Sequence, residues 1–241
     1  GVGYLGNGAT NVIFPLTQLA IAIGLMIGDG TASYVNLKLG VQEPERAEKG
    51  MAGGLLALLT ASIALSVILS IFLQPLCHVF GATEAILPYA MDYGRIIVAG
   101  TCVNMFSWGA MSMVRADGSP RFTMTCNLVG AIINLILDPI FIFGFHWGMA
   151  GAALATIIGQ IVSAALAVRY LMHYKTVAIT RQHLRPRKDC VCRIAALGAA
   201  QSFNQIAMTI VQIALNKSLT HYGAMSIYGE EIPLACAGII T

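Results

Sequence analysis

Charge is what this sequence has least of. Acidic and basic side chains make up 10% of its 241 residues, where soluble domains run near 25%. So few charges cannot clothe a water-facing surface, and a soluble fold is excluded. Catalytic constellations are missing too: no span carries an HExxH pair, paired carboxylates or a nucleophile beside a base, which leaves a membrane-embedded enzyme without residues to work with. Six cysteines (77, 102, 126, 190, 192 and 236) sit mostly inside apolar runs, where cysteine behaves as a small hydrophobe. Cys190-Val191-Cys192 lacks the CxxC spacing of a zinc site. We therefore expect neither a disulfide framework nor a metal cluster, and no cofactor. A cleavable signal is also lacking, since Gly1 is not a start methionine and no basic segment precedes the first apolar run. The chain closes on Ile239-Ile240-Thr241 within an apolar run, so it reads as an internal piece of a longer one.

What remains is apolar. Hydrophobic residues are 57% of the chain and mean hydropathy is +0.75, the composition of a polytopic membrane protein. At about 20 residues per span, the sequence predicts helices over about 11–35, 51–78, 85–114, 121–145, 149–171 and 194–220, with another beginning at 232–241. Barrel strands are shorter alternating segments, so the expected fold is an all-α membrane helix bundle. Punctuation supports the divisions. Pro44 lies in the charged loop 38–50, Gln74-Pro75 bends or ends the second run, and Gly118-Ser119-Pro120 makes a turn in which Ser119 suits a helix start. The small-residue pattern of GAALATIIGQIVSAALA suits close helix packing.

The basic residues alternate between loops. Lys38, Arg46 and Lys49 lie in one, Arg115 and Arg121 in another, and Arg169, Lys175, Arg181, Arg185, Arg187, Lys188 and Arg193 in or beside a third. The intervening loops hold almost none, so the positive-inside rule places loops 38–50, 115–121 and 169–193 in the cytoplasm of a cell-membrane protein. The third loop is a short juxtamembrane linker (174–193) with no fold around it, a poor nucleic-acid site. Asp92 and Arg95, spaced i, i+3, are expected to pair. Asp29 reads equally as a helix contact or a functional acid. The five histidines fall near span ends or in loops, and none is assigned a catalytic role.

One stretch stands apart. Gly130 to Phe145 reads GAIINLILDPIFIFGF, with Asp138 its only charge and Asn134 one turn earlier on the same face. An ionised acid at such a position costs roughly 2.5–3.5 kcal/mol on insertion scales, so it belongs toward a bundle interior or a wet cavity. Pro139 removes a backbone N–H and bends or breaks the helix. From spacing alone, Asp138 with Asn134 makes either a site for a small cation or a proton or a helix terminus at the interface.

RADGSPRFTM, NLILDPIFIF and GMAGAALATIIGQ resemble helices 4 to 6 of the multidrug and toxic compound extrusion (MATE) family. VGYLGNGATN resembles the segment after that family's first helix, and YGEEIPLACAGII its helix 7 to helix 8 turn. The resemblance covers the chain. It implies an N-terminal lobe without its first helix (1–173, helices 2 to 6), the basic linker 174–193, and the start of a C-terminal lobe (194–241). It is also consistent with a faint echo between Tyr4-Leu5-Gly6-Asn7-Gly8 ahead of Pro15 and His221-Tyr222-Gly223 ahead of Pro233.

The resemblance implies export of lipophilic, often cationic small molecules across the cytoplasmic membrane in exchange for Na⁺ or H⁺, by a protein monomeric at full length. It assigns Asp138, Asn134 and Thr156 to the cation or proton site, with Na⁺ at Asp138 the one metal ion expected. The family's partner aspartate on helix 1 has no counterpart here, so the chain alone is expected not to transport. The glutamate some members carry on helix 7 is also missing. Gln201, Asn204, Gln205 and Met208 stand there instead, with Gln212 on the same face, and are expected to line the substrate cavity. A lipid-linked oligosaccharide flippase of the same superfamily is the alternative, but it calls for an arginine-lined cleft that these residues do not make. An inactive membrane fragment is the other.

Overall fold

The computed structural model describes residues 3–80, 82, 84, 86–172 and 188–224. They form six antiparallel helices: α1 (Gly3–Gly40), α2 (Pro44–Val79), α3 (Leu87–Ala116), α4 (Pro120–Pro139), α5 (Gly148–Leu171) and α6 (Lys188–Ala224), with a π turn at Ile140–Gly144 after α4. All six are long and apolar enough to cross a membrane.

Most helices outrun the apolar stretches that announced them, because hydropathy marks only the part of a helix in lipid. Loop 38–50 shrinks to a tight turn, with α2 starting at Pro44, where the missing N–H costs nothing. Its charges tie the turn to the helix: Lys38 Nζ donates to Glu43 Oε2 at 2.6 Å, Arg46 pairs with Glu43 at 3.2 Å, and Lys49 with Glu45 at 2.5 Å. The Lys38 hydrogen bond holds the Glu43 carboxyl below its ordinary value near 4.5. Pro75 does not end α2, which continues to Val79. Residues 188–193 of the expected linker are the first turns of α6. The rest of the linker and the helix expected at 232–241 lie outside the described residues.

α1 packs against α2, α3 and α6, while α5 sits between α3 and α4. We call the end carrying turns 41–43 and 117–119 the basic end. The interior divides by height. One apolar cluster fills the basic half, around Met51, Leu58, Met105 and Met113. A second fills the other half, around Ile13, Leu16, Leu73 and Ile86. Between them runs a polar layer in which Ser66 Oγ donates to the Val98 carbonyl at 2.8 Å, Ser62 Oγ meets Cys102 Sγ at 3.4 Å, and Asn104 is buried. The outward face of α4 (Met124, Leu128, Leu135, Ile136) is exposed and apolar, as a lipid-facing surface must be.

Polar contacts pin the basic end. Ser112 Oγ donates to Asp29 Oδ1, and Arg115 Nη2 donates to Ser112 Oγ at 2.7 Å while lying 3.6 Å from Asp29. Asp29 is thus a helix contact between α1 and α3. Gly118 closes the α3–α4 turn at φ 76°, a conformation that favours glycine. Ser119 stands at the N-cap of α4 without capping it; its Oγ lies 2.6 Å from Tyr170 Oη, whose one proton goes to Asp117 Oδ2 at 2.8 Å. The expected Asp92–Arg95 pair does not form. Neither residue enters an ion pair given above. Asp92 is exposed and lines a cavity of about 380 Å³ with Tyr89, His146 and Trp147; Arg95 is exposed outside it, so each charge can be solvated separately.

Candidate functional site

The site begins with two glycines. Gly130 on α4 and Gly159 on α5 face each other so closely that a Cβ on Gly159 would stand 2.6 Å from the Gly130 carbonyl oxygen. Small residues at a membrane helix crossing let backbones approach in this way. One helical turn further along α4, Asn134 then reaches α5. Its Nδ2 lies 3.4 Å from Thr156 Oγ1 and 3.4 Å from Asp138 Oδ1. Both contacts are longer than the 2.7–3.2 Å of a well-formed N–H···O bond, so the three side chains are gathered without being locked. Thr156 Oγ1 donates to the Ala152 carbonyl, four residues back, at 3.0 Å, which turns its lone pairs toward Asn134.

The helix changes character beside the acid. Pro139 ends regular α-helix, and the chain continues as the π turn Ile140–Gly144. The break expected at Pro139 is thus a widening of the helix. π turns inside membrane helices occur frequently at functional positions. Phe141, Phe145 and Trp147 cluster beyond it, with ring centroids 5.2–6.0 Å apart. Gly151 admits the Phe141 backbone against α5.

The group opens onto a cavity of about 200 Å³ whose lining includes Asn104, Ser107, Asn127, Asn134, Thr156 and Gln160. Asn104 is 4% exposed and its Oδ1 has no hydrogen-bond partner among the described residues. A buried acceptor of this kind calls for a donor or a cation. Every side chain named in that lining is neutral. Asp138, half-buried and with no cationic partner within 4.0 Å among the described residues, is the acid beside it. Tyr93 of α3 lies within electrostatic reach of Asp138. Neither Tyr93 nor Asn104 stands out in the sequence, since a lone Tyr or Asn in an apolar run gives no sign of which neighbour it meets.

The α6 residues expected to line a cavity are placed differently from the Asp138 group. Gln201, Asn204 and Met208 are exposed (Met208 62%) and Gln205 is half-buried. α6 turns another face to α1, made of Ile194, Gly198, Ser202, Thr209, Gln212 and Asn216, all buried. Gln212, read from its spacing as sharing a face with Gln201, lies in that seam. Among the described residues no group of three or more His, Cys, Asp or Glu side chains is gathered as a metal site.

Comparison with known proteins adds a family. The MatE family model matches residues 3–140, more than half of the chain. The multidrug export protein MepA of Staphylococcus haemolyticus is 26% identical over 240 residues, covering 97% of this chain and 53% of its own length. MepA of Staphylococcus aureus (strain MRSA252) is 26% identical, with 94% and 51% covered. Among solved structures, the MATE multidrug transporter DinF-BH in complex with R6G superposes with a TM-score of 0.89 at 27% identity, over 100% of this chain and 53% of that one. An inward-facing multidrug resistance MATE family transporter of the MOP superfamily gives 0.84 at 26%, over 99% and 53%. The chain spans about half the length of the relatives it matches.

Proposed function

The chain belongs to the MatE family, and from that premise we propose that it supplies N-terminal lobe helices and the start of the C-terminal lobe of a cation-coupled antiporter that exports lipophilic, often cationic compounds. The basic end faces the cytoplasm, by the positive-inside rule. The observation that carries the reading is Asn134, whose amide stands between Asp138 and Thr156 on two different helices.

The chemistry follows from those side chains. Ionised Asp138 offers one negative charge, and the oxygens of Asn134 and Thr156 are neutral donors of electron pairs to a small cation. Swinging the Asn134 amide to present its oxygen requires giving up only two long contacts. A proton bound at Asp138 serves the same end, since it removes a charge that the apolar surroundings penalise. Either ligand favours one packing of the segment after Pro139, and a bound substrate favours another. Exchange is the linkage between these preferences. Gln201, Asn204 and Met208, exposed on α6, and Gln205, half-buried beside them, are offered to the substrate. Methionine and neutral amides suit variable apolar cations because they repack without demanding one geometry.

Efflux of a fluorescent cationic dye from vesicles holding the full-length transporter tests the reading. Export should follow an imposed Na⁺ or H⁺ gradient and collapse in Asp138→Asn. Equal export by the variant would remove Asp138 from coupling, and exchanging the gradients identifies the ion.

A further inference from the structure

On the antiporter reading, the α1–α6 seam is where the two lobes meet, and its two ends are built differently. Near the basic end it is backbone on backbone. A Cβ on Gly30 would overlap the Ile194 carbonyl oxygen, and one on Gly198 would overlap that of Met26. Nineteen residues along α1, about 28 Å at the rise of an α-helix and close to the thickness of a bilayer core, the seam closes on three amides. Gln212 Nε2 donates to Asn11 Oδ1 at 3.1 Å and to Asn216 Oδ1 at 3.2 Å. Asn11 Nδ2 donates to Asn216 Oδ1 at 3.2 Å, and Asn216 Nδ2 to the Asn11 carbonyl at 3.2 Å. Asn11 is 3% exposed, Gln212 9% and Asn216 0%.

We propose that Asn11, Gln212 and Asn216 form the outer gate of the cleft between the lobes, closed in this structure, with the glycine crossing as the fulcrum that stays together. The chemistry separates the two roles. Glycine backbones in contact can roll over one another without exchanging partners. The amides are the reverse case: each is both donor and acceptor, so every bond broken on opening can be replaced by one to water entering from outside. An ion pair would not open so evenly, because its two charges attract over a distance and each must be solvated separately. None of the three amides titrates, so protons act on this gate only through the packing of the lobes, not upon the gate itself. The proposal rests on the antiporter reading for the existence of a cleft between α1 and α6. It does not depend on which ion is coupled.

Two measurements on the full-length transporter, in a background freed of its native cysteines, the six in this chain among them, test it. In the first, Asn11→Cys with Asn216→Cys is joined by a short bifunctional thiol reagent, and dye efflux is compared before joining, after joining and after cleavage of the bridge. A gate predicts at least a tenfold loss on joining and recovery on cleavage. Unchanged efflux with the bridge in place would show that this end of the seam never opens, and the proposal would fall. In the second, Thr209→Cys, buried in the seam one turn nearer the basic end and outside the amide cluster, is labelled by a membrane-impermeant maleimide from outside. Asn11→Ala should raise the labelling rate several-fold by weakening the closed state, and an unchanged rate would overturn the gate. This readout needs no gradient. A transporter that fails to couple therefore still reports on the gate, and a failure of the antiporter reading is distinguished from a failure of this one.

Discussion

Gly159 stands against Gly130 with room for nothing larger than hydrogen, the Gly130 carbonyl oxygen lying 2.6 Å from where a Cβ of Gly159 would be. The distance between Asn134 and Thr156 depends on this contact. Gly159→Val must therefore part α4 from α5 or strain both, at about 1–3 kcal/mol for overpacking. The full-length variant should melt earlier in detergent and should also need a higher ion concentration to drive efflux. Ala155→Val, in the same helix and also buried, provides the comparison, since it should lower stability without the same change in ion dependence.

Asp138→Asn and Thr156→Val should differ in degree. The first removes the single charge of the site, and loss of coupling free energy of ordinary size corresponds to roughly a 5- to 150-fold drop in gradient-driven efflux. The second keeps the shape of the side chain while removing an oxygen placed 3.4 Å from Asn134. One such interaction is worth about 1 kcal/mol, so apparent ion affinity should fall roughly fivefold with maximal efflux retained. Dye efflux titrated against Na⁺ and against pH checks both.

At the basic end, Tyr170→Phe removes the hydroxyl that donates to Asp117 at 2.8 Å and meets Ser119 Oγ at 2.6 Å, while keeping the ring against Phe122, 4.9 Å away between centroids. About 1 kcal/mol of stability should be lost. Hydrogen exchange should quicken in the turn at 117–119 while the amides around Asn134 keep their protection.

The turn between α1 and α2 should respond to acid. The hydrogen bond from Lys38, with the nearby charges of Lys38 and Arg46, lowers the Glu43 carboxyl from its ordinary value near 4.5. A carboxyl whose value is lowered by folding stabilises the fold above its unfolded value, and that contribution is lost as pH falls through the folded one. Amide exchange at Arg46 and Ala47, whose N–H groups donate to the Glu43 carbonyl, should therefore speed up on the acid side of 4.5. Glu43→Gln should remove that dependence.

The sequence made the spans legible because lipid demands long apolar runs, and it made the pairing of Asn134 with Asp138 legible because helical spacing alone puts them on one face. The helix ends were less so. Lys38, Arg46 and Lys49 look like loop residues by hydropathy, yet they are helical or pair with a helix. Thr156 reached the site only through the family resemblance, since its contact with Asn134 is tertiary and depends on two glycines. Nothing local to Asn11 or Asn216 tells that they meet across 205 positions. Gln212 misled for a related reason: spacing groups it with Gln201, but the partner helix selects the face.

The polar layer between the two apolar clusters sets where the bundle can yield. Apolar interlocking resists sliding, because every knob must leave its hole. A plane of hydroxyls, a thiol and an amide holds by single contacts, such as that of Ser66 with the Val98 carbonyl, and interlocks less at mid-height. Asn104, with its unmatched oxygen, lies on that plane. The depth at which the cavity begins is thus the level where the bundle is held by polar contacts and not by interlocked apolar side chains, while the basic end is fastened through Asp29, Ser112 and Arg115.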